Sequence, residues 1–287
     1  MRTTASVRTL SRPSLELGAL VTARGRMLPS FLVIGGKRCG STSLYEYVIQ
    51  HPAVLPPRVR KGTHYFDVNF HRNWTWFRSK FPTQRRARRL EQELGVEVVT
   101  GEASPYYMSH PSAPARIARA LPGARLIAVL RDPVERAWSH YRYSVQHGFE
   151  HLPVAEAFDA EPARLEGEVE RLLADSRYSG FAYRHHSYLT RGLYAHQLDA
   201  VASVFPSAQI LVLQSEQLFT EPNVALARVF RFLGLPPMAF DDLPVYKAGL
   251  SSEMPLGIRR RLQEYYAEPN ERLYTLPGIG FRWGTHV

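Results

Sequence analysis

The chain has 287 residues, of which 45% are hydrophobic and 22% are charged, a composition typical of a globular protein and not of a fibrous or disordered one. Its formal net charge of +10 indicates a surface that attracts anions, and its single cysteine excludes an intrachain disulfide. The sequence contains no apolar run of about 18 residues, so it predicts no membrane span.

The N-terminal segment, residues 1–28, is rich in Arg, Ser and Thr and contains one acidic residue, Glu16. Its longest apolar piece, "LGALV", is too short for a secretory signal, and we interpret the segment as a flexible basic leader in preference to a transit peptide. Residues 29–287 are expected to form one domain. A cytoplasmic location is expected, since no membrane anchor is predicted.

Four short runs rich in Val, Ile and Leu predict buried strands, at residues 31–35, 96–102, 125–130 and 209–213. They show little polar alternation, as is usual for parallel strands that are covered on both faces. Helical patterns follow the first, third and last runs, which predicts an α/β layer fold with its ligand beyond the carboxyl ends of the strands.

Two further segments have helical patterns. Residues 151–180 are charged, contain no strand of their own and are interpreted as a helical insertion or lid. The run "RRARR" at 85–89 precedes "LEQELG", so we expect an exposed helix face there and no nucleic-acid contact.

The loop after the first strand reads "GGKRCGSTS". Gly35 and Gly40 have the spacing of an ATP-type phosphate loop, but Ser41 follows the second glycine where that motif has Lys, and Lys37 and Arg38 lie inside the loop. A strand, a glycine loop and a helix start direct backbone N–H groups at an anion. The predicted anion-binding residues are Lys37, Arg38, Cys39, Gly40, Ser41, Thr42 and Ser43.

A second group of polar residues follows the third predicted strand. Arg131 stands at the strand end, and Ser139 lies two turns into the next helix. An Arg fork beside a hydroxyl suits a second phosphate. A ligand with a 5′ and a 3′ phosphate uses both sites, whereas ATP has no 3′ phosphate.

Six groups of motifs, in this order, resemble the sulfotransferases that use 3′-phosphoadenosine 5′-phosphosulfate (PAPS), and most closely the heparan sulfate glucosamine sulfotransferase branch. They are "IGGKRCGSTSLYEYV", "KGTHYFD", "GEASPYY", "RDPVERAWSHY", "RGLYAHQL" with "FLGL", and "QEYYAEPNERLY" with "GFRW". The resemblance covers residues 31–283. It implies sulfuryl transfer to a hydroxyl or amine, on a three-layer α/β fold with a central parallel sheet, related to P-loop nucleotide kinases and requiring no metal. By the same resemblance, Gly40 to Ser43 hold the 5′-phosphosulfate, and Arg131 and Ser139 hold the 3′-phosphate.

The loop departs from the family at its catalytic cation. The family usually has Lys two residues before the second glycine of the loop, and this chain has Arg38 there. Arg neutralises charge but is a poor proton donor. Arg38 is therefore assigned charge stabilisation, and Lys37, one place earlier, is kept as the possible proton donor.

The predicted base also departs from the family. The heparan sulfate enzymes carry a Glu where "KGTHYFD" has Gly62. His64 in the same motif titrates near neutrality and is the first candidate for the base. Glu102 in "GEASPYY" is the reserve candidate, and Asp67 is expected to orient either His64 or an acceptor hydroxyl.

The third departure lies near the C-terminus, where relatives have a Lys-Gly-Arg loop and this chain keeps only the Lys, Lys247. Four of the 36 basic residues are Lys, so a Lys at this position supports a retained PAPS contact.

The acceptor remains open between a carbohydrate and a small metabolite, because fold does not fix substrate. The aromatic residues of segment 65–77 either line an acceptor cleft or fill the core. A P-loop kinase and a PAPS-binding protein without catalysis remain alternatives. Nucleic acid is not an expected partner, since a nucleic-acid module gives no reason for two separate phosphate motifs.

Overall fold

The computed structural model describes residues 18–59, 61–244 and 253–284. Four parallel strands form one sheet in the order β2-β1-β3-β4. The strands are β1 (Phe31–Gly35), β2 (Gly101–Ala103), β3 (Arg125–Leu130) and β4 (Ile210–Gln214). Because all four are parallel, their carboxyl ends lie along one edge of the sheet.

The strand predictions hold closely for three of the four runs. β1 and β3 have the predicted bounds, and β4 lies one residue later than predicted. β2 is shorter than the predicted run 96–102, because the chain before it pairs only at an isolated bridge between Val99 and Val54. The parallel α/β sheet predicted from the sequence is confirmed.

Helices account for most of the remaining regular structure. The first seven are α1 (Ser41–Val48), α2 (Trp74–Arg78), α3 (Gln84–Leu94), α4 (Ala113–Ala120), α5 (Pro133–Gln146), α6 (Val154–Asp159) and α7 (Glu161–Leu165). The next six are α8 (Glu168–Ala174), α9 (Phe181–His185), α10 (Tyr194–Ala202), α11 (Ser215–Thr220), α12 (Pro222–Leu233) and α13 (Leu256–Tyr274). Short 3₁₀ helices lie at Ala23–Gly25, Thr190–Gly192 and Ser207–Gln209.

Local sequence signals explain where these helices begin and end. The Asp132 side chain accepts a hydrogen bond from the backbone N–H of Val134, and Pro133 occupies the first position of α5, as predicted. Gly234 ends α12 in the left-handed conformation, with φ of 73°. The predicted exposed face of "RRARR" is confirmed, since four arginines on α3 face solvent and Ala87 faces inward.

The core lies on both faces of the sheet. Every residue of β1 is buried, and so are five of the six in β3, which requires cover on both faces. Helix α1 packs against α12, while α10 packs against α4 and α13. A second buried cluster, which includes Phe158, Tyr188 and Tyr266, joins α5 to α6 and α13.

Two predictions about chain organisation can be compared with the structure: the N-terminal leader and the helical segment 151–180. Within the predicted leader, residues 1–28, Ala23 and Arg26 are buried, and Arg26 Nη1 donates to the carbonyl of Phe81 at 2.6 Å. Residues 1–17 lie outside the described residues. The segment 151–180 is helical, and Phe158 ties it to α5. Within the described ranges, no helix is long and apolar enough to cross a membrane.

Candidate functional site

A cavity of about 1270 Å³ opens at the carboxyl edge of the sheet. Residues that follow each of the four strands line it, among them Gly40 after β1, Pro105 after β2, Arg131 after β3 and Ser215 after β4. Small-molecule sites are usually 300–1,000 Å³. This cavity therefore has room for more than one mononucleotide-sized group.

The cavity is strongly cationic. Its basic lining residues are Lys37, Arg38, Lys61, Arg131, Arg259, Arg260 and Arg282. Its acidic lining residues are Asp132, Glu135 and Glu216. Seven basic against three acidic side chains favour an anionic ligand, in agreement with the charge of the whole chain.

The cavity collects most of the residues predicted to bind phosphate, but not all of the predicted site. Those on its lining are Lys37, Arg38, Gly40, Ser41, Thr42, Arg131 and Ser139. Cys39, Ser43, His64 and Glu102 do not line it, and Lys247 lies outside the described residues.

The loop between β1 and α1 has the geometry of an anion cradle. Gly40 has φ of 88° and caps α1, and a Cβ atom added there would lie 2.9 Å from the Phe219 ring, so both the conformation and the space require glycine. Ser41 and Thr42 begin α1 and face the cavity. Their hydroxyl groups and the helix N-terminus point toward the same space.

Lys61 is a site residue that the sequence analysis did not select. Its Nζ donates to Thr42 Oγ1 at 2.7 Å and to Ser41 Oγ at 3.3 Å, and the residue lines the cavity. It stands first in the quoted motif "KGTHYFD", and Lys is scarce in this chain. Those two signals together were enough to find it.

Arg38 lies against the predicted 3′-phosphate site. Its Nε donates to Ser139 Oγ at 3.1 Å, and its guanidinium lies 5.0 Å from the centre of the Tyr143 ring. The sequence analysis assigned Arg38 and Ser139 to two different phosphate groups, and the structure shows these side chains in direct contact. One guanidinium thus lies at the junction of the two predicted sites.

Lys37 is turned toward helix α9. Its Nζ donates to the carbonyl of Arg184 at 2.5 Å and lies 5.6 Å from the centre of the Tyr143 ring. Burial, followed by the charges of Arg191 and Arg184, holds the pKa of Lys37 well below its usual range. A lowered pKa makes the ammonium group a stronger acid, which suits the predicted proton donor.

The guanidinium of Arg131 makes one long ion pair, with Glu135. Glu135 Oε2 lies 3.7 Å from Arg131 Nη2, and Glu135 Oε1 lies 2.8 Å from Arg259 Nη1 on α13. The shorter of these pairs belongs to Arg259, and the pair with Arg131 is long. Arg131 therefore keeps donors that face the cavity.

The structure differs from the predicted anion cradle at Cys39 and Ser43, whose side chains do not face the cavity. Both residues are completely buried, and Cys39 Sγ lies 3.6 Å from the Tyr194 hydroxyl in the core. They point inward because the loop turns at Gly40 and Ser43 lies on the inner face of α1. Their side chains are packing groups, and only their backbone remains available to an anion.

His64 and Asp67 form a hydrogen-bonded pair. Asp67 Oδ2 lies 2.9 Å from His64 Nδ1, and the His64 side chain is 39% exposed while that of Asp67 is fully buried. Burial by itself lowers the pKa of His64, but the hydrogen bond and charge of Asp67, with the charge of Glu102, outweigh it and raise this pKa. The pair leaves His64 Nε2 as the nitrogen that can accept a proton.

The backbone of the site carries strain at two predicted catalytic positions. Arg38 has φ of 70° and His64 has φ of 51°, and they are the non-glycine residues with positive φ in the described ranges. Such conformations cost about 1–3 kcal/mol each and persist where the surroundings enforce them. Strain of this kind clusters at functional sites, which supports the choice of these residues.

Glu102 is placed where it cannot act as the predicted reserve base. It is completely buried in β2, where it accepts hydrogen bonds from the backbone N–H of Thr63 and from the Tyr107 hydroxyl at 2.7 Å. Burial raises the pKa of Glu102. Ser104 Oγ accepts from the His64 N–H at 3.1 Å, so Glu102 and Ser104 together hold the turn that carries His64.

Gly62 shows why the family's Glu has no place here. A Cβ atom at this position would lie 2.3 Å from the carbonyl oxygen of Ala103 and 2.4 Å from Ser104 Oγ. The segment therefore packs directly on the end of β2, and only glycine fits. This close packing at Gly62 helps to fix the turn that carries His64.

The aromatic residues of segment 65–77 fill the core. Phe66 and Phe77 are completely buried, Tyr65 is 6% exposed, and Trp74 and Trp76 pack against them. The Tyr65 and Phe77 rings stack at 4.6 Å, and no member of this group lines the large cavity. The core interpretation is thus the one that the structure supports.

The C-terminal segment adds a wall that the sequence analysis did not foresee. Trp283 Nε1 donates to Glu216 Oε2 at 3.1 Å, while Glu216 Oε1 accepts from the Asp132 N–H at 3.0 Å. Trp283 and Phe219 both line the cavity and offer rings for stacking. The quoted motif "GFRW" contained this signal. In the described part of the chain, no group of three or more His, Cys, Asp or Glu residues has a metal-binding arrangement.

A parallel α/β sheet with a cationic cavity at its carboxyl edge, a glycine loop and a helix N-terminus defines a protein that binds an anionic nucleotide or a similar ligand. Residues 28–243 match a family described as "Sulfotransferase domain". The chain belongs to this sulfotransferase family and is therefore a transferase.

Individual relatives agree with this assignment. The chain is 29% identical over 93% of its length to heparan sulfate glucosamine 3-O-sulfotransferase 3A1 of Mus musculus, of which it covers 67%. It is 28% identical over 73% of its length to the human bifunctional heparan sulfate N-deacetylase/N-sulfotransferase 3, of which it covers 23%. A solved sulfotransferase from Alicyclobacillus acidocaldarius aligns with a TM-score of 0.61 at 27% identity, covering 86% of this chain and 95% of that one.

Proposed function

We propose that the protein transfers a sulfuryl group from PAPS to a hydroxyl of a carbohydrate or small-metabolite acceptor. The observation that carries this proposal is that one cationic cavity holds both predicted phosphate-binding groups, the loop at Gly40 and the pair of Arg131 and Ser139. The names of the curated relatives favour a glycan acceptor, and an amine is the less favoured acceptor group.

The residues of the cavity fit a ligand with two phosphate positions. The backbone at Gly40 and the hydroxyls of Ser41 and Thr42 suit a 5′-phosphosulfate, with Lys61 as a fixed cation beside them. Arg131 and Ser139 suit a 3′-phosphate. When bound, PAPS supplies an activated sulfuryl group and a stable leaving phosphate.

Charge stabilisation at the leaving oxygen is assigned to the cations of the loop. In transfers with a loose transition state, charge develops on the leaving oxygen, and positioned cations contribute most of the catalysis. Arg38 keeps further N–H groups besides the Nε that binds Ser139. Lys37, with its lowered pKa, is the proposed proton donor.

Proton removal from the acceptor is assigned to His64. Its Nδ1 is held by Asp67, which fixes the tautomer and directs Nε2 outward as the base. Glu102 is a positioning residue in this scheme, because it holds the backbone of the turn at Thr63.

The test is turnover measured as release of 3′-phosphoadenosine 5′-phosphate (PAP) from PAPS, with a panel of saccharide and small-molecule hydroxyl compounds as acceptors. His64→Ala is expected to lose roughly 10²- to 10⁴-fold in kcat, as for removal of a general base, with nearly unchanged affinity for PAP. A protein that binds PAP but sulfates no acceptor would support a binding role without catalysis. Wild-type turnover numbers in His64→Ala would overturn the assignment of the base.

A further inference from the structure

An acidic side chain stands inside the predicted 3′-phosphate site. Arg131, Glu135, Ser139 and Tyr143 recur at intervals of four positions, and all of them line the cavity. Side chains at this interval lie on the same face of a helix. Glu135 therefore lies between Arg131 and Ser139, the two residues that are predicted to hold the 3′-phosphate.

The partners of Glu135 explain its presence at a site for an anion. Glu135 Oε1 lies 2.8 Å from Arg259 Nη1, and Glu135 Oε2 lies 3.7 Å from Arg131 Nη2. Two guanidinium groups thus share one carboxylate. Through this carboxylate, Arg259 of α13 is brought next to Arg131 at the end of β3.

Helix α13 turns its first two turns toward the cavity. Leu256, Arg259, Arg260 and Gln263 line the cavity, and their spacing of three or four positions is that of one helical face. The side chains of Arg259, Glu135 and Arg131 are 29%, 28% and 33% exposed. A ligand in the cavity can therefore reach all three of these groups.

The charges of this group show what Arg259 contributes. Arg131 and Glu135 together carry no net charge, so the two of them give little attraction for a phosphate dianion. Arg259 makes the group of three positive. Ion pairs between partly exposed side chains are weak, so both arginines can exchange the carboxylate for a doubly charged phosphate at low cost.

We propose, resting on the proposed function, that Arg259 is a further ligand of the 3′-phosphate and that Glu135 is an internal anion that competes with this phosphate. On binding of PAPS, Arg131 and Arg259 exchange the Glu135 carboxylate for the 3′-phosphate. On release of PAP, the two arginines return to Glu135. The carboxylate thus keeps both guanidinium groups at the site and weakens their hold on the product.

The experiment is calorimetric titration of the full chain with PAP and with AMP, in the wild-type protein and in variants of α13. Arg259→Ala should bind PAP roughly 10-fold more weakly, as for loss of a hydrogen bond to a charged group, with unchanged affinity for AMP. Arg259→Lys keeps the charge without the planar fork and should lose roughly 3-fold. Arg261→Ala is the matched control, because Arg261 lies on the same helix and pairs with Asp159 at 2.7 Å but does not line the cavity.

A second variant tests the competition by the sign of its effect. Glu135→Gln keeps the size of the side chain and removes its charge, so PAP affinity should rise roughly 3- to 10-fold while AMP affinity stays the same. If Glu135 did no more than hold the arginines in place, the same change would lower PAP affinity. Unchanged or lower PAP affinity in Glu135→Gln would therefore overturn the competing role.

The wild-type titrations separate this inference from the proposed function. If the wild-type protein prefers PAP to AMP and Arg259→Ala binds PAP as tightly as the wild type does, the assignment of Arg259 is wrong and the proposed function stands. If the wild-type protein has no preference for PAP, the two-phosphate site itself is wrong. Urea denaturation of each variant shows whether it is folded, and Arg259→Lys gives the test if Arg259→Ala is not.

Discussion

At the scale of single residues, some features of the site could be predicted from motifs in the sequence, while others are contacts that form only when the chain folds. The loop "GGKRCGSTS" and the Arg131 and Ser139 pair could be predicted, because their residue types and spacing follow directly from phosphate binding. The contact between Arg38 and Ser139 could not, because it joins residues 101 positions apart. The structural role of Glu102 was also hidden, since burial cannot be seen from a motif.

The pH dependence of turnover tests the pairing of His64 with Asp67. His64 must be neutral to act as a base, and because its pKa is raised, kcat should fall as the pH drops through a value above about 6.5. In Asp67→Asn the hydrogen bond to a charged carboxylate and its charge are lost, so the pKa of His64 should fall and this acid limb should move to lower pH. Measurement of kcat from pH 5 to 9 checks this, with Asp241→Asn at an exposed position as the control. An acid limb at the same pH in Asp67→Asn would contradict the pairing.

At the scale of elements, the sequence predicted the strands and helix ends that are set by local sequence patterns. β1 and β3 were found with their bounds because buried parallel strands are continuous apolar runs, and Asp132 and Gly234 marked helix ends. β2 was overestimated, since Val96 to Thr100 have strand composition but only one bridge partner. Segment 151–180 was predicted only as a helical segment, although Pro153, Gly167 and Gly180 stand at the boundaries of its short helices.

The packing of this helical segment on α5 gives a stability prediction. Phe158 is 1% exposed and contacts the rings of Tyr141 at 6.1 Å and Tyr188 at 5.7 Å. Phe158→Ala should lower the free energy of unfolding by about 3–5 kcal/mol, because it leaves a cavity in the second core cluster. Urea denaturation with an unchanged m value would measure this. Leu173→Ala, at a 59% exposed position of the same segment, should stay within about 0.5 kcal/mol of wild type. If Phe158→Ala also lowered the free energy of unfolding by no more than about 0.5 kcal/mol, the segment would be a loosely attached lid and this prediction would be wrong.

At the scale of the whole molecule, the net charge of +10 becomes interpretable once the fold is known. Basic side chains concentrate around one cavity at the carboxyl edge of the sheet, while the arginines of α3 form a separate exposed face. The charge alone did not distinguish a nucleotide from nucleic acid, but the placement of two phosphate-directed groups in one cavity favours the nucleotide. The predicted cytoplasmic location, the domain bounds and the role of Lys247 stay predictions.

The most direct test of the account is calorimetric titration of the purified protein with PAP and, in parallel, with AMP. A hydrogen bond to a charged group contributes about 1.5–3 kcal/mol, so AMP, which lacks the 3′-phosphate, should bind roughly 10- to 150-fold more weakly than PAP. Arg131→Ala should remove most of this preference while AMP affinity changes little, because the loop at Gly40 is untouched. Equal affinities for PAP and AMP in the wild-type protein would contradict the two-phosphate site.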